Sequence, residues 1–244
     1  MTSLHMSVRR HMMSTSSRDF GKSVETFLLG LHIASPLPNG IEVLQPYSDR
    51  EVRRVVREMC ATFYTDAPQR IAVWGINPGR FGAGLTGLSF TDPYALRNDL
   101  GIDSTIDGRR EISAEFVYRV IDAYGGPSSF YRDVYMSALS PLGFVRGTTN
   151  LNFYDDADLM DALTPQIQRW TKKQISFGLR SDVTVVLGTG KLKHYMEQHV
   201  KAQCGFSKVL YLEHPRFIMQ YRRKSVDDYV RKYVETIREL VSPA

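Results

Sequence analysis

Apolar positions along the chain follow two rhythms. Short apolar or β-branched runs at 71–74, 133–139, 183–187 and 208–212 have the length of strands, and the first extends to residue 76. Between them, apolar residues recur at helical spacing over 20–31, 50–64, 113–124, 156–179, 191–201 and 225–240. The punctuation fits these boundaries. Pro36-Leu37-Pro38-Asn39-Gly40 breaks the first helix, and Ser48-Asp49-Arg50-Glu51 reads as a capping box opening the second. Gly125-Gly126-Pro127 stops the third. Within 156–179, Thr164 as N-cap with Pro165 at the first helical position predicts two helices end to end. The last strand ends at Glu213-His214-Pro215, and Ser225 caps the C-terminal helix.

Strands separated by helices predict an α/β fold: three layers, α/β/α, around a central, mainly parallel, doubly wound sheet. No repeat, low-complexity linker or shift in composition divides residues 19–244, so a single domain is expected there. Residues 1–18 hold three arginines, four methionines and no acid, and read as a disordered leader. An organelle transit peptide is the alternative; no apolar stretch of a secretory signal follows the arginines. In a doubly wound sheet the ligand crevice lies beyond the carboxyl ends of the strands. The glycine-rich loop after residue 76, the 137–143 loop, the 188–190 turn and His214 all follow strand ends and should gather on one rim.

Composition narrows the function. With 43% hydrophobic and 23% charged residues, the 244-residue chain has the make-up of an ordinary soluble globular protein. An excess of 31 Lys and Arg over 26 Asp and Glu permits a nucleic-acid partner without requiring one. Cys60 and Cys204 match no metal or redox spacing, so neither zinc nor an iron–sulfur cluster is expected, and a reducing cytoplasm is the simplest compartment. No run is long enough for a membrane span.

The chemistry concentrates in Trp74-Gly75-Ile76-Asn77-Pro78-Gly79-Arg80-Phe81-Gly82-Ala83-Gly84-Leu85-Thr86-Gly87-Leu88-Ser89-Phe90. Its glycines let backbone approach a ligand closely, and Asn77 and Phe90 are the side chains best suited to hold something planar and polar. Gly75-Ile76-Asn77-Pro78-Gly79, continuing to Thr86-Gly87 and Phe90, resembles the first motif of the uracil-DNA glycosylase superfamily. His214-Pro215 resembles its second motif. The two together look most like the single-strand-selective monofunctional uracil-DNA glycosylases, in their bacterial second branch; the mismatch-specific thymine and uracil glycosylases open the second motif with Asn-Pro instead. By motif order the resemblance spans roughly residues 20 to 240.

The resemblance implies a cofactor-free, metal-free, monofunctional DNA glycosylase that starts base excision repair and leaves an abasic site. Asn77 would position the attacking water and His214 would stabilise the leaving base. Phe90 would stack on the flipped base, with Ile76 and Gly79 beside it. Gly79 stands where strict uracil enzymes carry a tyrosine that blocks a 5-methyl group, so uracil, xanthine or 5-hydroxymethyluracil are candidate substrates. No lysine occupies either motif, which argues against a covalent Schiff base.

DNA would be the partner, single- or double-stranded, of a monomeric, cytoplasmic, nucleoid-associated bacterial enzyme. Gly188-Thr189-Gly190-Lys191 would approach backbone phosphates at a helix N-terminus. Arg216, Phe217, Met219, Gln220 and Arg222 would form a loop of wedges and cations that fills the gap left by the flipped base.

One departure stands out. The family's eukaryotic-type members read the imide edge of uracil with an asparagine before Leu-Cys-Pro-Leu. Here the segment is Ser137-Ala138-Leu139-Ser140-Pro141-Leu142; Ser137 is the expected base reader, with Ala138 as the alternative counterpart. That gap keeps a second function open, a non-catalytic damaged-DNA-binding module with a degenerate pocket. A phosphate-ester enzyme built on the 188–191 turn would need an acidic metal site, and the strand ends offer none. Taken singly, Asn77 could cap a turn, Phe90 could be core and His214 a satisfied strand-end histidine.

Overall fold

The computed structural model describes residues 19–65 and 69–241. The expected leader, 1–18, lies outside the described residues. In chain order the elements are α1 (Phe20–Leu29), β1 (Glu42–Leu44), α2 (Arg50–Phe63), β2 (Ile71–Gly75), α3 (Ala83–Thr86), α4 (Pro93–Asn98), α5 (Ile112–Tyr124) and α6 (Gly126–Asp133). Then come β3 (Val134–Ala138), β4 (Gly143–Arg146), β5 (Thr149–Leu151), α7 (Ala157–Ile175), β6 (Val183–Leu187), α8 (Lys191–Tyr195), α9 (Lys201–Cys204), β7 (Lys208–Leu212), α10 (Pro215–Tyr221) and α11 (Val226–Val241).

The four strands legible in the sequence form one parallel sheet in the order β3-β2-β6-β7, flanked by helices. Both β2 and β6 are buried along their whole length, which is why they read as unbroken apolar runs rather than alternating ones. The one bulky polar handle in β2, the Trp74 indole, is satisfied internally: Nε1 donates to Thr184 Oγ1 (2.7 Å), whose hydroxyl donates to the Ala72 carbonyl (2.8 Å). One continuous hydrophobic core runs from Phe20 to Ile237.

A second, antiparallel sheet, β1-β4-β5, was not expected. Its strands are three or four residues long, too short to carry a period, and two of them have no buried residue. It matters because it lays the residues after Leu151 against the glycine loop.

Local differences have local causes. Asp49, not Ser48, caps α2, its Oδ1 accepting from the N–H groups of Glu51 (2.7 Å) and Val52 (3.1 Å). The segment expected as two helices is one, α7, with Pro165 inside it. Leu159, Leu163, Ile167 and Trp170 form an unbroken buried stripe through the proline, and Thr164 Oγ1 donates to the Met160 carbonyl (2.8 Å) rather than capping a new helix. Tertiary burial outweighs the local break. The helix expected over 191–201 is α8 followed by a π-helical turn at 196–200 and then α9. Residues after His214, expected as a loop, form α10.

Candidate active site

A cleft of about 200 Å³ opens at the carboxyl ends of β2 and β3. Gly75, Ile76, Asn77, Gly79, Phe90, Ala138, His214 and Arg216 line it, with Glu111, Ser113, Asn150, Leu151 and Asn152 closing the other walls. The glycine loop and His214 therefore meet as the topology predicts. The 188–190 turn does not reach this cleft.

Asn77 is immobilised by backbone alone. Its Nδ2 donates to the carbonyls of Leu151 (3.1 Å) and Pro78 (3.2 Å), and its Oδ1 accepts from the Phe153 N–H (3.0 Å). Two carbonyls on one side and an N–H on the other settle which end of the amide is nitrogen. Both amide hydrogens are used, so the remaining capacity is the second lone pair of Oδ1. That atom can accept a hydrogen bond from a water and aim the water's own lone pair elsewhere; it is not basic enough to deprotonate it.

Phe90 is, among the described residues, the one non-glycine residue with positive φ (55°). Its ring lies on Gly75, where a Cβ would come within 2.7 Å of two ring carbons. A phenylalanine in this conformation costs backbone energy and persists because its surroundings hold it. Its ring centroid is 6.0 Å from that of His214, the planes tilted by 46°.

His214 is the N-cap of α10, and its Nδ1 accepts from the Arg216 N–H (3.1 Å). An accepting Nδ1 carries no proton, so the neutral ring bears its hydrogen on Nε2. Burial, with the Arg216 cation adding to it, pushes the imidazole down to about 4. At neutral pH the cleft thus holds an uncharged N–H donor.

Other expected site residues are placed differently. Ser137 turns into the core and its Oγ donates to Gln174 Oε1 (2.6 Å), which also accepts from Tyr135 Oη (2.8 Å). Successive side chains of a strand face opposite ways, so it is Ala138, one residue on, that lines the cleft. The expected role of Ser137 in reading the base is corrected accordingly. Met219 is buried, because α10 is a helix whose period puts Pro215, Ile218 and Met219 inside; it is not available to DNA. The same period leaves Arg216, Phe217, Gln220 and Tyr221 outside. Phe217 and Tyr221 pair at 5.4 Å, and the Arg222 guanidinium lies 5.3 Å over the Phe217 ring. Gly188 is buried, whereas Thr189, Gly190 and Lys191 are exposed; Lys191 pairs with Asp155 at 3.4 Å.

Sequence reasoning missed Glu111, Asn150 and the backbone clamp on Asn77 at Leu151 and Phe153. None lies in a motif, and only tertiary contact reveals them. It also missed Phe81, held between the guanidinium groups of Arg80 (4.6 Å) and Arg109 (3.7 Å). Among the described residues no group of three or more His, Cys, Asp or Glu could hold a metal, and no helix is long and apolar enough to cross a membrane.

An immobilised amide, a neutral imidazole and an aromatic ring thus meet at the strand ends of a parallel sheet in an α/β fold. The family model of the uracil DNA glycosylase superfamily matches residues 62–238. The crystal structure of wild-type Pedobacter heparinus SMUG2 is similar over 91% of this chain and 97% of that one, at 35% identity and a TM-score of 0.87. No curated protein matches the chain by sequence. The chain belongs to the uracil-DNA glycosylase superfamily, in its SMUG-type family. Its activity is of the uracil-DNA glycosylase kind, and DNA is what such enzymes act on.

Proposed function

We propose that this protein is a monofunctional glycosylase that hydrolyses the N-glycosidic bond of deaminated bases in DNA, uracil first, with xanthine and 5-hydroxymethyluracil as further substrates. The observation that carries this reading is the pairing, in one cleft, of a fully clamped Asn77 amide with a His214 ring that is neutral and protonated on Nε2.

The flipped base lies against Phe90. As the C1′–N bond stretches, its electron pair moves onto the base and the sugar becomes an oxocarbenium-like cation. His214 Nε2–H donates to the base oxygen on which the charge collects. Oδ1 of Asn77 holds a water whose oxygen attacks C1′. The water's proton passes to solvent, the departing base anion takes one up from solvent, and the products are an abasic site and the free base. So electrophilic a carbon needs an oriented water more than a deprotonated one, which is why an amide suffices. Gly79 sets no side chain of its own against a base substituent; the Glu111 carboxyl, 3.1 Å from where a Gly79 Cβ would stand, and the Asn150 amide bound that space instead. Arg216, Phe217, Gln220 and Arg222, together with the 188–191 turn, contact the DNA strand, and the cations make that contact salt-sensitive. The chain acts as a one-domain monomer in the bacterial nucleoid.

The test uses oligonucleotides carrying one uracil or one xanthine, single- and double-stranded, in chelator, followed by alkali. Strand cleavage only after alkali, slowed roughly a hundredfold to a thousandfold in His214→Ala and strongly in Asn77→Ala, is the expected result. Ala138, where a polar base reader would stand, favours the rival reading of a damaged-DNA-binding module. That reading predicts tight binding of the same oligonucleotides with no abasic product.

A further inference from the structure

We propose that Glu111 is a second base-contacting donor in this cleft: its carboxyl group donates a hydrogen bond to a carbonyl oxygen of the departing base. The inference rests on the glycosylase reading above and concerns the same site.

Glu111 immediately precedes α5 and is fixed at its backbone, where its N–H donates to Asp92 Oδ2 (2.6 Å). Asp92 is anchored in turn, its Oδ1 accepting from Ala95 N–H (2.8 Å) at the start of α4. From there the Glu111 side chain reaches over the glycine loop into the cleft. A Cβ at Gly79 would stand 3.1 Å from its Oε1, and one at Gly82 would come within 2.9 Å of its Cδ. Gly82 is therefore the position that makes room for this carboxyl. Among the described residues no hydrogen bond or ion pair engages it, although it lines the same cleft as Asn77, Phe90 and His214. Asn152, a neighbouring candidate donor, already gives its amide to Asp155 (2.7 Å).

The charge of the leaving base decides what such a group can do there. An ionised carboxylate facing a base that departs as an anion raises the barrier by like-charge repulsion. The un-ionised acid does the opposite. Charge released at the glycosidic nitrogen of uracil or xanthine spreads over two carbonyl oxygens, and His214 can serve only one of them. The proton stays on Glu111 throughout; only the C1′–N electron pair moves.

The charged groups bearing on Glu111 come from three elements. Burial, then the Asp92 carboxylate at the start of α4, raise its ionisation above the ordinary carboxylate value. Arg216 on α10 and Arg109 on its own segment pull the other way without reversing the direction. The His214 ring, which lines the same cleft, is neutral above about 4 and adds no charge at working pH.

The experiment is single-turnover uracil excision from about pH 5 to about pH 9 by the wild type, Glu111→Gln and Glu111→Ala. Glutamine keeps a donor and cannot ionise. The wild-type rate should fall on the alkaline side as Glu111 loses its proton. The glutamine variant should lack that fall and stay within roughly threefold of the wild-type plateau, while the alanine variant should lie roughly a hundredfold below that plateau and also lack the alkaline fall. A glutamine variant as slow as alanine, or one that keeps the wild-type alkaline fall, overturns the proposal. So does an alanine variant within threefold of wild type. Should alanine not fold, the glutamine profile decides alone. A wild type that excises nothing takes down the glycosylase reading and this one together, whereas wild-type excision with unaffected variants takes down this one only.

Discussion

Gly75→Ala tests whether the Phe90 ring is a working surface or merely packed beside one. The new Cβ would sit 2.7 Å from two carbons of that ring, where ordinary contact begins at 3.4 Å, so about 0.7 Å must be found. The backbone cannot supply it. Gly75 lies in register with Ala138 in the parallel sheet, and its carbonyl accepts from Leu139 N–H (3.0 Å). The ring must move, and Phe90 already holds a positive φ that leaves its backbone little latitude. Overpacking of this kind costs about 1–3 kcal/mol of stability. A displacement near 1 Å at a reacting site costs roughly a hundredfold in rate. Thermal unfolding should show the first effect and single-turnover excision of uracil from an oligonucleotide the second. The discriminating measurement is a double-mutant cycle with Phe90→Ala. If the damage travels through the ring, Gly75→Ala should slow the Phe90→Ala background no further. An undiminished loss in that background, or wild-type excision with Gly75→Ala alone, would refute the reasoning.

Other consequences can be checked with the same assay. Because His214 is held neutral down to about 4, excision by Glu111→Gln, in which the carboxyl cannot titrate, should show no inflection near the ordinary imidazole value of 6.5. The same shift links His214 to stability: between about 6.5 and 4 the unfolded chain binds the proton that the folded ring refuses. Its stabilising share is therefore complete above 6.5 and is lost as pH falls towards 4, which unfolding midpoints at graded pH would reveal. Asn77→Asp should be slower than wild type by roughly a hundredfold or more, since a carboxylate would place oxygen against the carbonyls of Pro78 and Leu151 and lose its fixed orientation. Ser137→Ala should leave the ranking of substrates unchanged and cost about 0.5–1.5 kcal/mol of stability, by removing one of the two hydroxyl donors to Gln174 while Tyr135 keeps the other. A changed ranking would show that Ser137 reaches the base after all.

How much of this was legible beforehand depends on the range of the forces involved. The strands at 71–75 and 183–187 announce themselves because a sheet strand buried on both faces needs a near-continuous apolar or β-branched run, and those at 134–138 and the half-buried 208–212 do so by similar runs of strand length. Their separation by helices then implies parallel pairing and a ligand crevice at the carboxyl ends, where Asn77 and His214 do meet. Local signals failed where distant contacts overrode them. Pro165 reads as a helix start, yet the buried stripe from Leu159 to Trp170 carries α7 straight through it. Ser137 and Ala138 differ by one residue, and the sheet register decides which faces the cleft and which faces Gln174.

Sequence alone determined the layered architecture, the glycine loop and the order of the two motifs, because these follow from periodicity and residue type along the chain. Tertiary structure decided the rest: the backbone clamp on Asn77 from residues 151–153, the tautomer of His214, and the carboxyl of Glu111 over Gly79 and Gly82. Each of these depends on atoms brought together across a gap in the chain or across a helix cap. No spacing in one dimension encodes such a distance.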